Sequence, residues 1–151
     1  MSAKENQPNS QQFGINQIYV KDLSFEASKS MHEIHKDWEP KVDYQLNIEH
    51  KSLDQDYHEV SLISNVTVSV KDEKIFIVEI NHAGLFLAKG FSDDQKDQLF
   101  KAVCPNILFP YSRQVIADTI VQGGFPALHL SPIDFDARYR SLKMEADIKQ
   151  N

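Results

Sequence analysis

The sequence predicts an α+β fold, a four-stranded antiparallel sheet with helices packed on one face. Three observations predict it. From Phe13 to His82 the chain is rich in β-branched and aromatic residues, and much of it alternates apolar with polar. The stretch "VKDEK" is short enough to join the third and fourth of these runs as a hairpin, which makes them antiparallel. Beyond Ser92 the apolar residues fall at helical spacings instead. A chain of 151 residues has room for one domain with its own core and not comfortably for two.

The elements follow in order. Residues 1–12, "MSAKENQPNSQQ", are too polar to repay the entropy of ordering, so a loose tail is expected there. The domain is expected over residues 13–148, with a short C-terminal tail at 149–151. "FGINQIYVKDLSFE" lacks clean alternation and suits a long strand with a bend or bulge. "ASKSMHEIHKDWEP" reads as a surface connection. In the second strand Val42, Tyr44, Leu46 and Ile48 alternate with polar residues, so one face is wet. The third places Val60, Leu62, Val66, Val68 and Val70 on one face and Glu59, Ser61, Asn65, Thr67 and Ser69 on the other. The fourth, Lys74 to His82, puts Phe76, Val78 and Ile80 on the core face, and Ile75, Ile77 and Glu79 opposite. That outward face combines an apolar patch with an acid.

"AGLFLAKGF" is expected to lead into a short helix, Asp93 to Val103, capped by Ser92. In the next helix, at about 100° per residue, Leu108, Tyr111 and Val115 cluster on one side while Phe109, Ile116 and Ile120 cluster roughly opposite. A surface helix needs one apolar stripe, and this one has two. Gly123 and Gly124 can supply its left-handed cap, and Pro126 prevents resumption. A final amphipathic helix carries Phe135, Tyr139 and Leu142.

Composition excludes several function classes. The formal charge of −6 disfavours a phosphate-tracking nucleic-acid binder. No apolar run approaches the roughly 18 residues of a membrane span, so no direct membrane insertion is expected. A single cysteine and a start without an apolar core fit a reducing cytoplasm. Cys104, before proline and an apolar run, reads as a small buried hydrophobe, because sequence places no histidine beside it to make a thiolate. His32 and His35 share a helical face, but further metal ligands are not apparent. The acid pairs Asp54/Asp56, Asp93/Asp94 and Asp134/Asp136 stand where acids serve as caps. No GxxxxGK or GxGxxG is present, so a nucleotide-driven mechanism has no support. No catalytic residue, metal or cofactor is assigned, and a binding protein is expected.

"IYVKDLSFEA", "DWEP", "CPNILFPYSR" and "GGFPALHLSPIDFDA" occur in an order that closely resembles the SecB protein-export chaperones, over about Ile15 to Tyr139. The resemblance implies a cytoplasmic homotetramer, a dimer of dimers, that binds unfolded precursor proteins without ATP and hands them to the SecA motor of the translocase. It gives the two-sided helix a use, since the family's long helices lie between the sheets of two dimers. By resemblance, SecA docks on Asp22, Glu26, Ile77 and Glu79, a negative surface with an apolar anchor suited to SecA's basic, zinc-stabilised tail. Without the resemblance, Asp22 and Glu26 read as ordinary solvated strand acids.

Tetramer contacts fall by the same resemblance on Val78, Ile80 and His82, with Leu108, Phe109, Val115, Ile116 and Ile120 on the helix. Val78 and Ile80 also suit intrachain core. The client groove falls on Trp38, Phe135 and Tyr139, which suit core as well. Ser28 and Asp134 depart from the family's usual proline and asparagine, and the mixed end "MEADIKQN" does not resemble a long acidic tail. A SecB-like chaperone guarding another client, such as a toxin-antitoxin partner, is the alternative.

Overall fold

The computed structural model describes residues 10–150, so most of the expected loose tail lies outside the described residues. Strand β1 (Gln12–Ala27) leads through a short helix, α1 (Met31–Ile34), and a 3-10 turn into β2 (Lys41–Ser52), β3 (Tyr57–Val70) and β4 (Glu73–Lys89). The four form one antiparallel sheet in the order β1-β4-β3-β2, with β1 and β2 at the edges.

The broken alternation of the first strand has a structural cause. Its pairing with β4 shifts between Ile15 and Gln17 and again between Val20 and Asp22, so Asn16 and Lys21 are the extra residues of two bulges. Each bulge resets the phase of the pleat. Phe13, Ile15, Ile18, Val20, Leu23 and Phe25 therefore all turn to the helix side, while Tyr19, Asp22, Ser24 and Glu26 turn outward. A strict period of two would have split both sets.

A third bulge corrects the expected placement of Ile75. Pairing moves from Val68↔Phe76 to Ser69↔Lys74, leaving Ile75 unpaired, and its side chain turns into the core at 1% exposure. "AGLFLAKGF" also departs from expectation, because it continues β4 as far as Lys89. Its two glycines, Gly84 and Gly90, suit a connector by sequence alone. Gly84 instead lets elements approach, since a Cβ there would lie 2.5 Å from the Phe86 ring and 3.2 Å from Leu108. Lys71 and Asp72 both take positive φ, the geometry of a tight two-residue hairpin turn between β3 and β4.

After Gly90, with φ +81, Ser92 caps α2 (Asp93–Gln98) by accepting the Gln95 N–H. The break expected near Val103 is absent. A π turn (Leu99–Val103) joins α2 directly to α3 (Cys104–Gln122). Pro105 cannot donate to the ladder and crowds the preceding turn, and the wider π turn just before it relieves that crowding. Of the two glycines ending α3, Gly124 takes the left-handed conformation at φ +89 and Gly123 does not. Gly123 is needed for space, as a Cβ would meet the Phe25 ring at 2.3 Å. Asp134 then caps α4 (Phe135–Gln150), which extends into the residues expected to trail.

The core lies between one sheet face and α3 in two clusters. Ile116 and Ile120 pack with Val66, Val68, Phe76, Val78 and Ile80, and Phe125 joins them. Leu108 and Phe109 pack with Val60, Leu62 and Phe86, together with Phe135 and Tyr139 from α4. Leu108 and Phe109 thus share one cluster, and the expectation that they face opposite ways is corrected. The described α3 buries a single broad stripe, Cys104, Leu108, Ser112, Ile116 and Ile120 with their neighbours, and it leaves Tyr111 and Val121 half exposed.

Candidate functional site

Three surfaces remain once the core is accounted for. The first is the outer face of β1 and β4. Glu26 stands opposite Ile77, Ser24 opposite Glu79, and Asp22 opposite Asn81, so the two strands bring Asp22, Glu26, Ile77 and Glu79 into one contiguous patch. Ile77 is half-buried among exposed acids. Nearby Glu59 stays ionised but its charge is offset by Lys21 at 2.7 Å, and hydrogen bonds from Lys21 and the Tyr19 hydroxyl hold its carboxyl below the usual range. Asp22, Glu26 and Glu79 have no ion pair among the described residues, so the patch keeps its negative charge. A shallow hollow of about 220 Å³ adjoins it at Glu26, Ile77 and Ser28.

The second surface lies where the edge strand β1 meets α3. Ile15, Val20 and Leu23 face the helix side and stay 42–50% exposed, because α3 does not reach over the edge. With Ile18, His82, Pro110, Tyr111 and Val115, Val20 lines an open groove of about 490 Å³. His82 is buried beneath it with no hydrogen-bond partner for Nδ1 among the described residues, and burial lowers its pKa. Of the residues expected at an assembly contact, Val115 and His82 line this groove, whereas Val78, Ile80, Leu108, Phe109, Ile116 and Ile120 are all within the protomer's own core. Sequence reasoning missed Ile18 and Val20, whose facing is set by the bulges.

The third surface runs along β2. Trp38, just before the strand, stacks on Phe125 at 6.0 Å in an aromatic cluster with Phe76 and Phe25. Val42 and Tyr44 floor a hollow of about 420 Å³ roofed by the connecting segment at Leu128, Leu130 and Ile133. Farther along, Ile48 faces α4 across a cleft of about 320 Å³ that Tyr139 and Leu142 also line. From residue 42 to 48 the strand advances about 20 Å, so the two hollows lie apart along the same strand. Trp38 and the pair Phe135 and Tyr139 therefore sit at different ends, and the structure does not bring them together. Phe135 is wholly core, while Tyr139 donates to Asp97 at 2.7 Å from the cleft wall. The alternation in "PALHLSPI" was the available signal for the roof.

The chain's one cysteine lies beneath these surfaces rather than on them. Cys104 is buried without a cationic neighbour, and burial drives its thiol far above the ordinary range, so no thiolate forms. His32 and His35 stack in an exposed turn, and no cluster of three metal-ligating side chains exists among the described residues. None of the described helices is long and apolar enough to cross a membrane.

The family described as preprotein translocase subunit SecB matches residues 5–146. The protein-export protein SecB of Pseudomonas savastanoi pv. phaseolicola is 48% identical over 137 residues, 91% of this chain and 85% of the relative. That of Pseudomonas putida strain KT2440 is 48% identical over 131 residues, covering 87% and 81%. Among solved structures, a Mycobacterium tuberculosis SecB-like chaperone in complex with an antitoxin peptide aligns with TM-score 0.69, covering 80% of this chain and 90% of that one, at 12% identity, which shows a shared fold. These matches make the chain a protein-export chaperone, and it belongs to the SecB family.

Proposed function

We propose that this chain binds unfolded precursor proteins in the cytoplasm without nucleotide, keeps them competent for export and passes them to SecA as a homotetramer. The supporting observation is the division of the sheet. Its outer face carries an acid patch around Ile77 with no ion pair among the described residues, while two hollows that include apolar side chains lie apart from it along β2. Apolar side chains of an unfolded client gain about 25 cal/mol per Å² buried there, and folding would hide them, so selection is for the non-native state. Successive hollows hold one client at several points, and their weak affinities combine.

Asp22, Glu26 and Glu79 suit a basic partner surface, with Ile77 as the buried anchor. The groove at Val20, Tyr111 and Val115, continuous with the free edge of β1, suits a second copy of the chain. Glu79→Lys is expected to weaken SecA binding at least about tenfold in a titration while leaving unfolded-precursor binding unchanged. Equal loss of both would mean the docking face lies elsewhere. Tyr111→Asp is expected to lower the native mass, and an unchanged mass would remove the groove from the assembly contact. Retained precursor binding after ATP depletion is also required.

A further inference from the structure

Beside the turn that joins β2 to β3, two histidines meet on the helix side of the sheet. His50 pairs with Val60 and His58 with Ser52, so the two imidazoles stand diagonally across the ladder. His50 Nε2 and His58 Nδ1 lie 2.9 Å apart. Phe100, from the π turn, holds both rings. The His50 ring stacks on it at 4.0 Å and the His58 ring tilts against it at 4.4 Å. The turn fixes the register that juxtaposes them, since Gln55 and Asp56 take positive φ and the Leu53 N–H donates to the Tyr57 carbonyl at 2.8 Å. The pair opens on a hollow of about 280 Å³, which Ser52, Asp93, Lys96 and Asp97 also line. Asp97 is engaged by the Tyr139 hydroxyl and by Lys101, whereas Asp93 has no ion pair among the described residues.

We propose that His50 and His58 form a chelating site for a divalent late transition-metal ion, Ni²⁺ or Cu²⁺, with water filling the positions the protein leaves open. The inference is independent of how clients or export partners bind. Its basis is the spacing of the two nitrogens. Metal–nitrogen bonds of about 2.0–2.1 Å set at a right angle place two imidazole nitrogens about 2.9 Å apart, while tetrahedral ligands stand about 3.3 Å apart. The observed 2.9 Å is the spacing of neighbouring ligands on a square-planar or octahedral ion. Loading moves the proton shared by the pair to the outer nitrogen of its own ring, the other tautomer of a neutral imidazole, and turns the rings so that both lone pairs converge on the ion. No cluster of three ligating side chains forms among the described residues, which suits an ion that keeps bound water rather than a closed four-ligand zinc centre. The Lys96 ammonium on the wall opposes a cation, and the Asp93 carboxylate on the same wall offsets it.

The test uses the full chain, freed of metal with EDTA and titrated calorimetrically with NiCl₂ and CuCl₂ in a buffer that does not chelate. Ni²⁺ is expected to bind with a Kd of about 10 µM, and Cu²⁺ at least about tenfold more tightly. His50→Gln and His58→Gln are each expected to weaken Ni²⁺ binding at least about tenfold, because one imidazole cannot chelate. His32→Gln/His35→Gln removes the other stacked pair and should leave the affinity unchanged. Far-UV circular dichroism confirms folding of the His58 variant, whose side chain is buried, while the exposed His50 gives a variant that spares the core. Electron paramagnetic resonance of the chain with Cu²⁺ is expected to show coupling to two imidazole nitrogens, and to lose one of them in His50→Gln. Ni²⁺ affinity that survives both single substitutions, or that falls only with His32 and His35, overturns the inference. So does a Cu²⁺ spectrum that His50→Gln does not change.

Discussion

The two faces of β4 behave as different materials. Phe76, Val78, Ile80 and His82 point to the helices and are at most 4% exposed, whereas Ile77 and Glu79, one residue away in each case, look outward beside Glu26 and Ser24. The inner face is filled by α3, so its residues are fixed by packing density and tolerate little change. The outer face has no layer above it among the described residues, so its residues are free to be chosen for a partner. Substitutions on the inner face should therefore be read out as stability, and those on the outer face as binding.

The largest effect is expected for Phe76→Ala. The ring packs at 4.6 Å from Phe125 and 5.6 Å from Phe25, and its removal should cost about 3–5 kcal/mol in urea unfolding. Gly84→Val tests the same face by overfilling. Its Cβ would strike the Phe86 ring and press on Leu108, for a loss of about 1–3 kcal/mol, and a smaller loss would mean that α3 can shift.

Acid should act next, and from the inner side. His82 is buried without a partner at Nδ1 among the described residues, while His58 shares a hydrogen bond with His50 at 2.9 Å, and His50 stacks on Phe100 with His58 tilted against the same ring. Burial is the main cause that lowers all three below the ordinary value of 6.5. In the interval between the lowered folded values and 6.5, the unfolded chain binds more protons than the folded one. Stability is therefore fully present above about pH 7 and declines as pH falls through 6.5, before most carboxylates titrate. The measurement is Tm against pH between about 7.5 and 5.5, where His50→Gln/His58→Gln should flatten the slope. A slope unchanged in that variant would assign it elsewhere.

The smallest stability change is expected for Glu79→Gln, within about 0.5 kcal/mol, because the residue is exposed and has no ion pair among the described residues. A large loss would erase the distinction between the faces.

Much of this was legible in the sequence. Clean alternation in β2 and β3 needs only local information, since one wet face imposes a period of two. The family blocks identified the chaperone class, and the outward placement of Ile77 and Glu79 followed from counting residues along β4. The first strand shows where counting ends. Its irregular spacing indicated a bulge somewhere, but placing bulges at Asn16 and Lys21 requires the partner strand that fixes the register. Ile75 and Gly84 were misplaced for a related reason, as both depend on what lies across from them.

The helix beginning at "CPNILFPY" divides the two kinds of information most clearly. By itself the sequence determined that the segment is helical, too apolar for a simple surface helix, and built around a cysteine suited to burial rather than reaction. Tertiary structure alone decided that Leu108 and Phe109 share one core while Tyr111 and Val121 remain outside, because a π turn and two prolines set the helix's rotation against the sheet. It also decided that Arg138 and Lys143 of α4 meet Ile48 of β2, residues about ninety positions apart in sequence whose juxtaposition no local pattern encodes. Periodicity reports which side of an element is apolar. Only packing reports what that side meets.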